Sequence, residues 1–75
     1  MDDSSLNTAG QVIDELGGTT ATATLTGKRA QNVSNWRASG RLPPDTFLVM
    51  QDALSARGKR APAALWGIRE PERAA

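Results

Sequence analysis

The sequence predicts an all-α fold, a compact bundle of four to five short helices, and three observations support this. Apolar residues recur at helical spacing in several short segments, each closed by glycine or proline. One stretch alone has the pattern of a strand, and a strand without a partner is not stable. A length of 75 residues allows one small domain, and because the chain has no cysteine, no disulfide can supplement its core.

The first helix is expected to begin at Asn7 or Thr8, either of which can cap it, and to run to Leu16. Its apolar stripe would consist of Val12, Ile13 and Leu16. The Gly17-Gly18 pair would end it, because glycine readily adopts the left-handed conformation found after helices. Residues 1–5 are predicted to be a disordered N-terminus, and residues 6–68 to form the domain.

Residues 19–25 are ambiguous. Their alternating threonines favour a strand by propensity alone. The absence of a second strand argues against it, and the interleaved alanines would let two helices approach closely. We therefore predict a short second helix, followed by a turn at Thr26-Gly27-Lys28.

The third helix is expected to begin at Arg29 or Ala30 and to end at Ala38, with Ser39-Gly40 closing it. Val33 and Trp36 lie three residues apart and would form its buried face. Residues 41–44 would be an extended linker, since residues before proline avoid the helical region.

A fourth helix is predicted to begin at Pro44 or Asp45, to reach Ala56 and to end at Arg57-Gly58. Its buried stripe would consist of Phe47, Leu48, Met50 and Leu54. Residues 63–66 would add a final helical turn ended by Gly67. Its Trp66 would either fold back over the first and fourth helices, which we favour, or project towards a second subunit. The C-terminal segment is expected to contribute to dimer contacts, and residues 69–75 to be a flexible tail.

The charges are segregated along the chain although the net charge is only +1. Before Lys28 there are four acids and no base, whereas residues 28–41 hold four bases and no acid. Positive charge confined to one segment is typical of a surface that binds a polyanion. The alternative is an ordinary solvated helix face.

Several function classes are not expected. The chain has neither histidine nor cysteine, and its acids form no obvious pair, so we predict no enzyme, metal site or cofactor. The N-terminal residues do not resemble a signal peptide, and no segment approaches the roughly 20 apolar residues that span a bilayer. A soluble cytoplasmic protein without a membrane partner is therefore expected.

A tight glycine turn between the second and third helices predicts a helix-turn-helix. Three short motifs carry a resemblance: Leu25-Thr26-Gly27, Val33-Ser34-Asn35-Trp36-Arg37 and Gly40-Arg41-Leu42-Pro43. The stretch from residue 17 to residue 44 resembles the helix-turn-helix core of the phage Cro and lambda-repressor-like (XRE-type) transcriptional regulators. Lys28 and Arg29 depart from that pattern, since they replace its usual small residue and Ser/Thr cap.

The resemblance implies that the second helix braces the DNA backbone and the third lies in the major groove. The residues predicted to read bases are Ala30, Gln31, Ser34, Asn35 and Arg29. The residues predicted to bind phosphate are Thr20, Lys28, Asn32, Arg37 and Arg41. The alternative for the polar residues of the third helix is that they are ordinary surface side chains. Arg29 would bind either guanine or phosphate, and Arg41 would bind either phosphate or the carboxylate of Asp45. A basic cluster at Arg57, Lys59 and Arg60 would either touch flanking DNA or, as we favour, lie in a solvated loop.

The function expected from these features is sequence-specific binding of double-stranded DNA by a transcriptional regulator. It would be a repressor that binds a near-palindromic operator as a homodimer, or as a heterodimer with a related regulator, in phage or prophage-derived genes. When bound to DNA it would be associated with the bacterial nucleoid. The first alternative is a protein-interaction module, such as an antitoxin or phage-derived adaptor, that binds its partner through Trp66 and Met50. The second is an activator or a protein that coats DNA nonspecifically.

Overall fold

Six helical segments follow one another in residues 6–68, the part of the chain that the computed structural model describes. The α-helices are α1 (Ala9–Glu15), α2 (Thr19–Thr26), α3 (Ala30–Ser39) and α4 (Phe47–Ala56). Two 3₁₀ helices complete the series, Pro44–Thr46 directly before α4 and Ala63–Trp66 after it. No strand forms within residues 6–68, so the prediction of a helical fold is confirmed there. The predicted disorder of residues 1–5 and the predicted tail at residues 69–75 lie outside the described residues.

Helix α1 begins and ends at residues whose chemistry fixes its length. The Thr8 hydroxyl accepts a hydrogen bond from the Gln11 N–H at 3.1 Å, and the Gln11 side chain accepts one from the Thr8 N–H at 3.2 Å. This reciprocal pair is a capping box, which satisfies two N–H groups that the helix leaves free. At the other end Gly17 and Gly18 have φ values of +105° and +99°, a region that side chains with a Cβ rarely enter. The predicted helix is confirmed.

The threonine-rich segment forms helix α2, as predicted, rather than a strand. Its hydroxyl groups find acceptors on nearby carbonyls: Thr26 donates to the Thr22 carbonyl at 2.9 Å, and buried Thr22 donates to the Ile13 carbonyl at 3.4 Å. Small Ala23 is also buried. Gly27 then ends the helix with φ +71°, which turns the chain into α3.

The four α-helices and the C-terminal segment enclose one hydrophobic core. Its buried members are Ala9, Val12, Ile13, Leu16, Ala23, Val33, Leu42, Met50, Leu54, Ala61 and Trp66. The largest of these is Trp66, whose ring meets Phe47 edge-on, with 5.2 Å between the ring centroids. Two hydrogen bonds fasten the segment: the Leu42 N–H donates to the Leu65 carbonyl at 2.7 Å, and the Gln51 side chain donates to the Ala61 carbonyl at 2.6 Å. The prediction that Trp66 folds back is confirmed.

One core prediction is wrong, and two others hold only in part. Leu48 was expected in the buried stripe of α4 but is 78% exposed. Because a helix turns by about 100° per residue, Leu48 lies about 200° from buried Met50 and so on the opposite side of the helix. Trp36 and Phe47 were expected to be core, and both are partly buried side chains that pack against the cluster. The indole that fills the interior is that of Trp66, which arrives from a distant part of the chain.

Candidate nucleic-acid interface

The outward face of α3 is polar and uncharged. Counting about 100° per residue, Gln31 and Asn35 each lie about 160° from buried Val33, on either side of the opposite direction, with Ser34 beside them. All three are exposed. Within residues 6–68 no hydrogen bond from the protein engages either amide side chain. Their donors and acceptors are therefore free to meet a ligand.

The other two residues predicted to read bases lie at the start of α3. Arg29 is the N-cap residue and Ala30 the first helical residue, and both are exposed. Of the two predicted first residues of α3, Arg29 and Ala30, the structure therefore supports Ala30. The Arg29 side chain makes no capping hydrogen bond, unlike the serine or threonine found most often at such positions. The first N–H groups of α3 therefore have no side-chain acceptor.

Two of the four basic residues in this region carry no ion pair within the described part of the chain. They are Arg29, before α3, and Arg41, directly after the helix's C-cap Gly40. Both are exposed. The amide-bearing face of α3 thus has an unpaired guanidinium near each end of its helix.

The other two basic residues each hold a carboxylate. The Lys28 ammonium lies 2.8 Å from the Asp45 carboxylate, and the Arg37 guanidinium lies 2.8 Å from that of Asp14. The alternative in which Arg41 pairs with Asp45 is wrong, because Asp45 pairs with Lys28 and the described residues contain no ion pair of Arg41. The charge segregation seen along the sequence does not persist in space.

These contacts shift the pKa values of the groups involved. The hydrogen bond from Arg37 lowers the pKa of Asp14, and the same bond raises the pKa of Arg37. The hydrogen bond from Lys28 likewise lowers the pKa of Asp45. Both acids are therefore ionised at neutral pH, and each cancels a nearby positive charge.

Arg37 is directed towards α1 rather than along the outward face of α3. A Cβ atom added at Gly10 would lie 3.5 Å from its Nη1 atom and 3.8 Å from its Cγ, so the side chain extends across α1 at a residue that has no side chain. From there it reaches Asp14, one turn further along α1. Arg37 therefore links α1 to α3, a role that the sequence pattern did not indicate.

The remaining predicted phosphate ligands are neutral. Thr20 lies in the first turn of α2 and Asn32 in that of α3. Both are exposed, and within residues 6–68 neither side chain makes a hydrogen bond to the protein. Helices α2 and α3 pack against each other. The basic cluster after α4 begins with exposed Arg57.

Sequence reasoning missed both ion pairs: it did not connect Asp14 with this region, and it considered Asp45 only as a partner of Arg41. The two acids lie 23 and 17 residues from their basic partners, so no local spacing connects them. Only the packing of α1 against α3, and the return of the chain at the Pro44–Thr46 turn, bring the charges together.

No protein family, curated protein or solved structure matches this chain. No helix in residues 6–68 is both long enough and apolar enough to cross a membrane. Within the same residues, no three histidine, cysteine, aspartate or glutamate side chains cluster as metal ligands would.

Proposed function

We propose that this chain is a sequence-specific, double-stranded-DNA-binding transcriptional regulator in which α2, the Gly27 turn and α3 act as a helix-turn-helix. One observation carries the proposal. The exposed face of α3 presents the unengaged amides of Gln31 and Asn35, and unpaired arginines stand before and after the helix. An α-helix fits the major groove, where base edges display their donors and acceptors.

The side chains on this face match the chemistry of that groove. A glutamine or asparagine amide can donate to adenine N7 and accept from its N6 amine, a bidentate contact that contributes about 1–3 kcal/mol of discrimination. The Ser34 hydroxyl can donate or accept, and the Ala30 methyl can contact the methyl group of thymine. The face carries no charge that would favour every sequence equally.

Contacts to phosphate would set the position of α3 in the groove. Arg29 and Arg41 are the strongest candidates because no carboxylate neutralises them in the described residues. Thr20 and Asn32 would add neutral hydrogen bonds to the backbone. Lys28 and Arg37 belong to the same proposed surface, although each must first leave its carboxylate partner.

A single α3 reads only a few base pairs, so the proposal includes a dimer on a near-palindromic operator. Two recognition helices would enter successive major grooves about 34 Å apart. Blocking access to a promoter is the proposed mode of action, and the site of action would be the cytoplasm.

A selection from random duplex DNA tests the proposal. The purified chain should enrich a motif with adenines facing α3. Gln31→Ala or Asn35→Ala should relax the motif at one position and weaken binding to the best site by about five- to a hundredfold, corresponding to the 1–3 kcal/mol above. Ser55→Ala, on the exposed side of α4, is the matched control and should leave motif and affinity unchanged. Enrichment of no motif by the wild-type chain would refute sequence-specific recognition.

A protein-interaction module is the second candidate, and Leu48 is the observation that favours it. The partner surface expected from the sequence, formed by Trp66 and Met50, is wrong because both side chains are fully buried. Leu48 instead leaves a large apolar side chain 78% exposed on α4, with Val49 beside it at 37%. If Leu48→Lys abolished capture of a stoichiometric protein partner while the wild-type chain enriched no DNA motif, this second function would replace the first.

A further inference from the structure

We propose that Asp14 and Asp45 act as internal counterions, which compete with DNA phosphates for Arg37 and Lys28 and so limit the affinity of this protein for the nucleic-acid backbone. The inference rests on the proposed DNA-binding function and deepens it. It assigns a role to two acids that the sequence placed outside the basic segment.

The geometry of both pairs permits an exchange of partners. Each joins a nitrogen and a carboxylate oxygen at 2.8 Å, the distance of a charge-assisted hydrogen bond. Neither is enclosed: the Lys28 and Asp45 side chains are 35% and 64% exposed, and those of Arg37 and Asp14 are 39% and 67% exposed. Water and a phosphate oxygen can therefore reach either cation without opening the core.

The pairs divide the four bases of residues 28–41 into two classes. Arg29 and Arg41 have no carboxylate partner in the described residues and can neutralise phosphate directly. Lys28 and Arg37 are already neutralised by their carboxylates. A phosphate can therefore pair with either base only by displacing its carboxylate partner, and the net gain in electrostatic energy is small. Four positive charges less two negative ones leave a local charge of +2.

This division has a measurable consequence in the dependence of binding on salt. Each phosphate that a protein neutralises releases bound cations from DNA and contributes about −0.9 to the slope of log K against log salt concentration. With the carboxylates in place, the two free arginines would contribute about −1.8 per chain. Neutralising one acid frees one more base, which should change the slope by about −0.9 and strengthen binding about eightfold at 0.1 M salt.

The chain supplies a close control for the loss of negative charge itself. Glu15 follows Asp14 directly in α1, carries the same charge and forms no ion pair within residues 6–68. Glu15→Gln therefore changes the net charge as Asp14→Asn does but releases no base. The double variant Asp14→Asn/Arg37→Gln separates an effect through Arg37 from one that acts on the DNA directly.

The experiment measures anisotropy of a fluorescein-labelled random-sequence duplex of 24 base pairs, titrated with each folded variant between 50 and 300 mM KCl. We expect Asp14→Asn and Asp45→Asn each to steepen the slope by about 0.9 and to bind about eightfold more tightly at 0.1 M than the wild-type chain. Glu15→Gln should increase the affinity much less than Asp14→Asn does. The double variant Asp14→Asn/Arg37→Gln should lose the increase in affinity that Asp14→Asn alone produces. Circular dichroism confirms that each variant is folded, and Asp45 provides an independent test should Asp14→Asn unfold.

The outcomes separate this inference from the function on which it rests. If the wild-type chain binds with a salt-dependent affinity and the asparagine variants match Glu15→Gln, the internal-counterion role is refuted and DNA binding stands. Weaker binding by Asp14→Asn would also refute it, since the carboxylate would then orient Arg37 towards phosphate. Binding by the asparagine variants alone would support the counterion role and count against DNA binding by the native chain. Failure of every variant to bind would overturn both.

Discussion

Replacing Trp66 by alanine should remove most of the stability of this domain. Its side chain is the largest that is completely buried, and its ring packs edge-on against Phe47. Burial of a tryptophan removes about 150–250 Å² from water, which at about 25 cal/mol per Å² corresponds to about 4–6 kcal/mol. Alanine retains little of this area, and measured losses for such substitutions are about 3–5 kcal/mol. A chain of this length typically has about 4–11 kcal/mol in total.

Urea unfolding followed by far-ultraviolet circular dichroism measures the effect. For a domain this small the free energy of unfolding falls by about 1 kcal/mol per molar urea, so the midpoint should drop by about 3 M or more. Trp36→Ala is the matched comparison, since Trp36 is only partly buried, and it should cost about half as much. If Trp36→Ala proved the more damaging substitution, the assignment of Trp66 as the central core residue would be refuted.

Trp66→Phe separates the contribution of the ring from that of the indole N–H. The Trp66 Nε1 atom is buried and has no hydrogen-bond partner among residues 6–68, a situation that costs about 1–3 kcal/mol. Phenylalanine removes this unpaired donor and keeps an aromatic edge against Phe47, but it fills less volume. The two effects offset each other, so the variant should unfold within about 1 kcal/mol of the wild-type chain.

Three further predictions concern glycine, acid and apolar surface. Gly27→Ala should lower the free energy of unfolding in urea by about 1 kcal/mol, because φ is +71° at this residue. Gly10→Ala, inside α1, should instead raise the free energy of unfolding by about 0.5–1 kcal/mol. Equal effects of the two substitutions would contradict the argument from backbone conformation. The pKa of Asp14 is lower in the folded state than the ordinary value of 3.8. Its ion pair with Arg37 therefore stabilises the folded state fully at pH values above 3.8, and this stabilisation is lost as the pH falls through the lower folded-state pKa. The urea midpoint should therefore decline below about pH 4, and less so in Asp14→Asn; identical pH profiles would disprove the linkage. Leu48→Lys should change the free energy of unfolding by no more than about 0.5 kcal/mol, because the side chain is exposed. It should also reduce any self-association measured by sedimentation. A large loss of stability would show that Leu48 is buried.

Much of the helical fold was predictable because its signals are local. The helix boundaries follow from Thr8 at one end of α1 and from glycines that require positive φ after α1, α2 and α3. The threonine-rich α2 was harder, since propensity favoured a strand. There the decision came from topology, because a strand needs a partner and none was available.

The candidate interface was predictable in its exposed residues and less so in its charges. Helical periodicity alone places Gln31 and Asn35 opposite Val33, and the structure agrees. The availability of Lys28 and Arg37 could not be inferred from the sequence, because the acids that hold them come from other elements. DNA binding itself stays a prediction.

The sequence by itself determined where α1 begins, where the helices end and which face of α3 is polar, since capping, glycine conformation and helical periodicity act over a few residues. The start of α4, predicted at Pro44 or Asp45, lies at Phe47, after a 3₁₀ turn. Tertiary structure alone decided which tryptophan fills the core and which bases are paired. Those outcomes depend on contacts between residues far apart in the chain, and such contacts are set by how the helices pack rather than by any local pattern.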